Sequence, residues 1–249
     1  MRRFPVLVCD MMNAREGQSS MSVGQGLFGS VDLSVDKPAV IKKTYLLLSL
    51  AVVCGIIGGK VGTSSSTVLQ FFSQWYGWIA AMILLNVLPG IAMACRNNPI
   101  LATVAIMGNG LVAGLVLAPL LFMATVVGGP NIVTSALIIT GIVFLGVTGC
   151  VMVTQKRYSA PVSIMTGIFF TAIGLVLVNM FLHMPLLGLI ISGAIGVLGV
   201  LILVYATSEV LNNPEFNEPV AGAVMLFAAL FNIFQFVLHV LMMFASSRE

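Results

Sequence analysis

The chain has 249 residues, of which 59% are hydrophobic and 8% charged, with a formal net charge of +3. Soluble domains carry about a quarter charged residues, and a mean hydropathy of +1.10 leaves too little polar surface to cover a fold in water. A cytosolic enzyme, a secreted disulfide-stapled domain and a disordered chain are excluded, and an integral membrane protein is expected. The basic residues are scattered, so they serve as topology markers and not as a nucleic-acid surface. Cys9, Cys54, Cys95 and Cys150 lie far apart without CxxC spacing and read as small apolar residues.

Residues 1–40 form the one polar tail. The apolar run 5–9 behind Arg2 and Arg3 is too short for a signal-peptide core. The stretch to Pro38 is rich in Ser, Gly, Asp and Gln and lacks periodic apolar positions, so a flexible cytoplasmic tail is expected, with room for a short interfacial helix near residues 31–43. Residues 41–249 then make up a transmembrane domain. Its apolar segments are 44–59, 75–94, 100–127, 132–153, 162–182, 186–205 and 220–245. These are continuous runs and not the alternating short segments of a barrel, so they predict an all-α membrane protein with seven helices across about 30 Å of hydrocarbon. Gly128-Gly129-Pro130 and His183-Met184-Pro185 read as tight turns between antiparallel neighbours, and residues 206–219 as the longest polar connection.

Placing the N-terminus inside puts Arg2, Arg3, Arg15, Lys37, Lys42, Lys43, Arg96, Lys156 and Arg157 on the inner side, against Lys60 and Arg248 outside. Nine against two is a strong positive-inside bias. The N-terminus is expected in the cytoplasm and, after seven spans, the C-terminus outside.

No Asp, Glu, Lys or Arg falls well inside a span. Proton-coupled transporters usually keep one, because an intramembrane charge persists only for function. No HExxH, GxGxxG or nucleophile–base–carboxylate set is present, so neither an enzyme nor a cofactor or metal site is expected. The spans carry amides instead: Asn86, Asn109, Asn179, Asn232 and Gln235, followed by His239. At 100° per residue Asn232, Gln235 and His239 share one stripe of the last helix. Such groups either hydrogen-bond neighbouring helices and hold a bundle together, or line an ion or water path. Gly55/Gly59 and Gly110/Gly114 form GxxxG pairs, and Gly193, Gly196 and Gly199 line the sixth span, as expected for close helix contact. Glu209, Glu215 and Glu218 gather in the last connection, either as a solvated loop or as a mouth for cations or a docking partner.

Several stretches read together: Lys42-Lys43-Thr44-Tyr45 opening the first span, Asn179-Met180-Phe181-Leu182-His183-Met184-Pro185 closing the fifth, Tyr205-Ala206-Thr207-Ser208-Glu209 closing the sixth, and Phe231-Asn232-Ile233-Phe234-Gln235 in the seventh. In order and spacing the chain resembles the Bax inhibitor-1 family over residues 38–249. The resemblance implies six helices around a central seventh. One branch of that family consists of pH-sensitive calcium leak proteins whose sensor is an aspartate pair. The matching positions here, Ala206, Thr207 and Ser208 on one side and Asn232 on the other, offer no carboxylate. Paired carboxylates titrate together and bind cations, whereas these residues do neither. A bacterial inner-membrane branch resembles the chain better. It implies a non-enzymatic partner of FtsH, the membrane-anchored AAA+ protease, that restrains attack on membrane proteins. A leak for calcium or protons with altered or absent pH sensing is the alternative.

Overall fold

Six stretches form long helices because their interiors are continuously apolar and hold almost no charge. The computed structural model describes residues 37–159 and 185–247, together with 171, 174 and 175. The described helices are α1 (Lys37–Ser64), α2 (Ser66–Ser73), α3 (Trp75–Ala94), α4 (Pro99–Gly128), α5 (Asn131–Thr154), α6 (Pro185–Asn212) and α7 (Pro219–Ser246). No strand occurs among the described residues. All but α2 are long and apolar enough to cross a membrane. The 28 residues of α1 span about 42 Å, which exceeds the hydrocarbon core and carries both ends into the headgroup region. The expected fifth span, 162–182, lies outside the described residues, as do Asn179, His183 and Met184.

The entry to α4 shows the capping logic. Asn98 is extended, its Oδ1 accepts from the amides of Ile100 (3.2 Å) and Leu101 (3.4 Å), and Pro99 occupies the first helical position, where no amide is missed. Asn98→Ala is expected to cost about 1 kcal/mol, and thermal unfolding in detergent should show the loss as a lower midpoint. At the other end Gly129 adopts φ 77°, turning the chain directly into α5.

Three boundaries differ from the sequence reading. The first helix begins at Lys37, so the last residues of the expected tail are already helical. Residues 65–74, without an expected element, hold the short helix α2, capped by the Ser65 hydroxyl. The sixth helix runs on through Tyr205 to Asn212, which shortens the polar connection to 213–218.

The described residues belong to one compact unit, Asp36–Glu249. Within it α7 touches all five of the other long helices. Ala223, Leu226, Ala229 and Leu238 of α7 are fully buried, alongside Ala51 of α1 and Leu203 of α6. The most extensive contact joins α1 to α4. There the two GxxxG motifs meet: Gly110 and Gly114 lie against the backbone of Ala51, Gly55 and Gly59. On the far side of α7, Gly196 and Gly199 make room for Phe236 and Asn232. Outward, Ile56, Ile138, Ile142 and Leu145 stand exposed, as side chains facing hydrocarbon do.

Candidate functional site

The charged side chains of the described residues concentrate at one end of the bundle, where α1, α4 and α7 begin and α3, α5 and α6 end. This end carries Lys37, Lys42, Lys43, Arg96, Lys156 and Arg157, while the opposite end carries Lys60. The acidic residues of the last connection are tied to this basic set. Arg96 donates to Glu218 at 2.7 Å, joining the α3–α4 connection to the entry of α7. Arg157 lies 3.4 Å from Glu209, whose side chain is only 13% exposed, and the same carboxylate accepts from the Asn213 amide. The Glu215 backbone amide donates to Asn213 Oδ1 at 3.1 Å. Two of the three carboxylates are thus neutralised by arginines distant in sequence.

The end of α5 is held by α6. Gln155 turns the chain with φ 50°, a left-handed conformation that costs a non-glycine residue and persists where neighbours fix it. Ser208 and Asn212 supply those neighbours. The Ser208 hydroxyl accepts from the Tyr158 amide at 2.8 Å and donates to the Lys156 carbonyl at 3.1 Å. Asn212 Nδ2 donates to the same carbonyl at 2.9 Å and to Val151 O at 3.4 Å. Lys37 completes the cap of α6: its Nζ donates to Val210 O (3.4 Å) and Phe216 O (3.3 Å) and lies 5.7 Å from the Phe216 ring centroid. A cation there faces the carbonyls that a helix end leaves unpaired.

Of the positions matching the family's aspartate pair, Ala206, Thr207 and Ser208 are fully buried. Ser208 is engaged as above, and Thr207 Oγ1 has no partner among the described residues. Asn232 is half-buried at the α6–α7 contact, where a Cβ on Gly199 would lie 3.0 Å from its own. Asn109 is buried within α4. Asn86 is exposed and bonds the Met82 carbonyl of its own helix at 2.7 Å, so it does not join the α7 stripe. Gln235 and His239 are half-buried on α7, with His239 Nδ1 buried and without a partner among the described residues. Asn212 and Asn213 were missed as members of this end, and Lys37 and Lys156 were read there only as topology markers, without their contacts. A lysine at a helix start and an Asn-Asn pair at a helix end are common enough to give little warning.

No group of three His, Cys, Asp or Glu that could hold a metal occurs among the described residues. Cys54, Cys95 and Cys150 are free thiols.

Long apolar helices, lipid-facing aliphatic side chains and a polar, cation-rich end define a multi-pass helical membrane protein. Residues 37–246 match the family described as inhibitor of apoptosis-promoting Bax1, and the chain belongs to this Bax inhibitor-1 family. The match begins where α1 begins. Among its relatives, the modulator of FtsH protease YccA of Escherichia coli K12 is 30% identical over 203 residues, covering 81% of this chain and 89% of that protein. A Campylobacter jejuni protein is 26% identical over 207 residues, 83% of this chain and 89% of its own length. A membrane protein of Vibrio cholerae is 23% identical over 216 residues, 85% of this chain and 92% of its own.

Proposed function

We propose that the chain is a non-enzymatic, inner-membrane partner of FtsH that restrains the protease's action on membrane proteins. The observation that carries this reading is the 30% identity to the Escherichia coli FtsH modulator across 89% of that protein. In this reading seven helices span the membrane, six of them around α7, and residues 162–182 supply the span that completes the count. The cation-rich end faces the cytoplasm, by the excess of six basic residues over one between the two ends of the described helices. The N-terminus is then cytoplasmic and the C-terminus outside.

A pulling protease needs a handle on its own side of the membrane and a fold that resists extraction. Residues 1–40, polar in sequence and mostly ahead of the family match, supply the handle. The close α1–α4 and α6–α7 contacts supply the resistance. Restraint follows from occupancy: the protease holds the tail while the bundle stalls it. A calcium or proton leak has less support, because the positions of the aspartate pair hold Ala206, Thr207, Ser208 and Asn232.

The test is FtsH cleavage of a second membrane protein in proteoliposomes, with and without this chain. Slower cleavage is expected, and deletion of residues 2–35 is expected to abolish the slowing. Unchanged cleavage in the presence of the full chain would overturn the proposal. Slowing that survives the deletion would overturn the role of the tail.

A further inference from the structure

A cavity of about 520 Å³ opens at the cation-rich end, between the start of α1, the α3–α4 connection and the entry to α7. Its wall is divided by chemistry. Leu47 and Val220, both buried, form an apolar flank, while Lys43, Arg96 and Glu218 form a charged one. Arg96 is fixed by Glu218 through one Nη, which leaves the rest of its five-donor fork for another acceptor. Lys43 makes no ion pair among the described residues. Two cations against one carboxylate leave the cavity with a single positive charge. The starts of α4 and α7, at Pro99 and Pro219, also border it and add the positive ends of their dipoles.

A singly positive pocket with an apolar flank, placed where helices leave the hydrocarbon, matches a phosphodiester headgroup with acyl chains attached. We propose that this cavity binds an anionic phospholipid of the phosphatidylglycerol class, its phosphate between Lys43 and Arg96 and its first methylenes against Leu47 and Val220. Arg96 meets the phosphate as a planar fork, Lys43 as a point charge. Glu218 is a positioning residue: it aims Arg96 and keeps the free pocket from holding two uncompensated charges. The site is independent of the protease reading, since it requires only the bundle and a bilayer.

The experiment is native mass spectrometry of the full chain in neutral detergent, titrated with phosphatidylglycerol and, separately, with phosphatidylcholine. Preferential retention of phosphatidylglycerol is expected. Lys43→Gln should weaken it about fivefold, the effect of about one basic residue near an anionic headgroup. Adding Arg96→Gln should weaken it by a similar further factor, whereas Lys43→Arg should retain binding. Lys60→Gln, at the opposite end, should leave it unchanged. Thermal unfolding of each variant shows that it is folded, and Lys43→Gln carries the test because that side chain is exposed. Equal retention of the two lipids, or wild-type binding by Lys43→Gln, would overturn the proposal. Displacement of phosphatidylglycerol by an equal concentration of glycerol 3-phosphate would overturn the lipid assignment in favour of a soluble phosphate.

Discussion

Valine in place of Gly110 or Gly114 is expected to force α1 off α4 and cost about 3 kcal/mol or more, the upper range for overpacking. A Cβ on Gly110 would fall on the Ala51 carbonyl oxygen and within 2.9 Å of its carbon. A Cβ on Gly114 would meet the Gly55 carbonyl oxygen and come within 2.6 Å of the Gly59 nitrogen. Gly58 meets the Leu111 carbonyl from the other side. These obstacles are backbone atoms in helices, so no rotamer change can relieve them. The loss is large because lipid gives helices little hydrophobic reason to associate: close approach itself, with dispersion and weak Cα–H contacts, holds the pair. Gly108 and Gly149 are the controls, since a Cβ on either meets nothing within 4 Å among the described residues. Alanine there should be neutral or slightly stabilising, as in any helix interior. Thermal unfolding in detergent distinguishes the two groups, and Gly110→Ala and Gly114→Ala variants as stable as the controls would refute the argument. If the chain restrains FtsH by resisting extraction, the valine variants should also be degraded faster.

The six described spans were legible because nothing competes with a long apolar run in a chain this poor in charge, and the glycine motifs because close helix contact demands small residues at that spacing. Which motifs faced each other was not legible: Gly55 and Gly110 are brought together by tertiary packing alone. The end of α6 was misread for a physical reason. Thr207, Ser208, Glu209 and Asn212 look like a loop in sequence, since Ser, Thr and Asn compete locally with helix hydrogen bonds. In the structure the Ser208 and Asn212 side chains turn toward the end of α5, where they find carbonyls and an amide, and the helix continues. The acidic residues read as one group, a solvated loop or a mouth, because they are neighbours in sequence. Their partners lie far away, Arg157 52 positions from Glu209 and Arg96 122 from Glu218. Helix α2 was missed because eight residues with Ser, Thr and Gln give no span signal. The amides divided by their surroundings, Asn86 exposed and Asn109 buried, a difference that hydropathy does not encode.

Removing the α6 side of the α5 clamp should free the segment 155–159 without dispersing the helices. In the double variant Ser208→Ala with Asn212→Ala, the Tyr158 amide loses its acceptor, and the Lys156 carbonyl loses both of its donors. Each hydrogen bond lost at this exposed turn costs about 0.5–1.5 kcal/mol, and the left-handed Gln155 loses the contacts that fix it. Arg157–Glu209 remains, but an ion pair with one partner 56% exposed contributes at most about 1 kcal/mol and does not hold the turn by itself. Limited proteolysis should therefore cut near Lys156 and Arg157 in the variant and not in the wild type, and the Tyr158 amide should exchange faster with solvent. Protection of α1 and α4 should be unchanged, because their glycine contact does not involve this end. Equal cleavage in both proteins would show that the clamp contributes nothing to holding the turn. On the proposed reading the consequence extends to FtsH, since an opened turn on the cytoplasmic side is a second handle within the bundle. The double variant should then be degraded even with residues 2–35 deleted, whereas the deleted wild-type chain should persist. That contrast separates the two requirements of a slow substrate, a place to be gripped and a fold that does not yield.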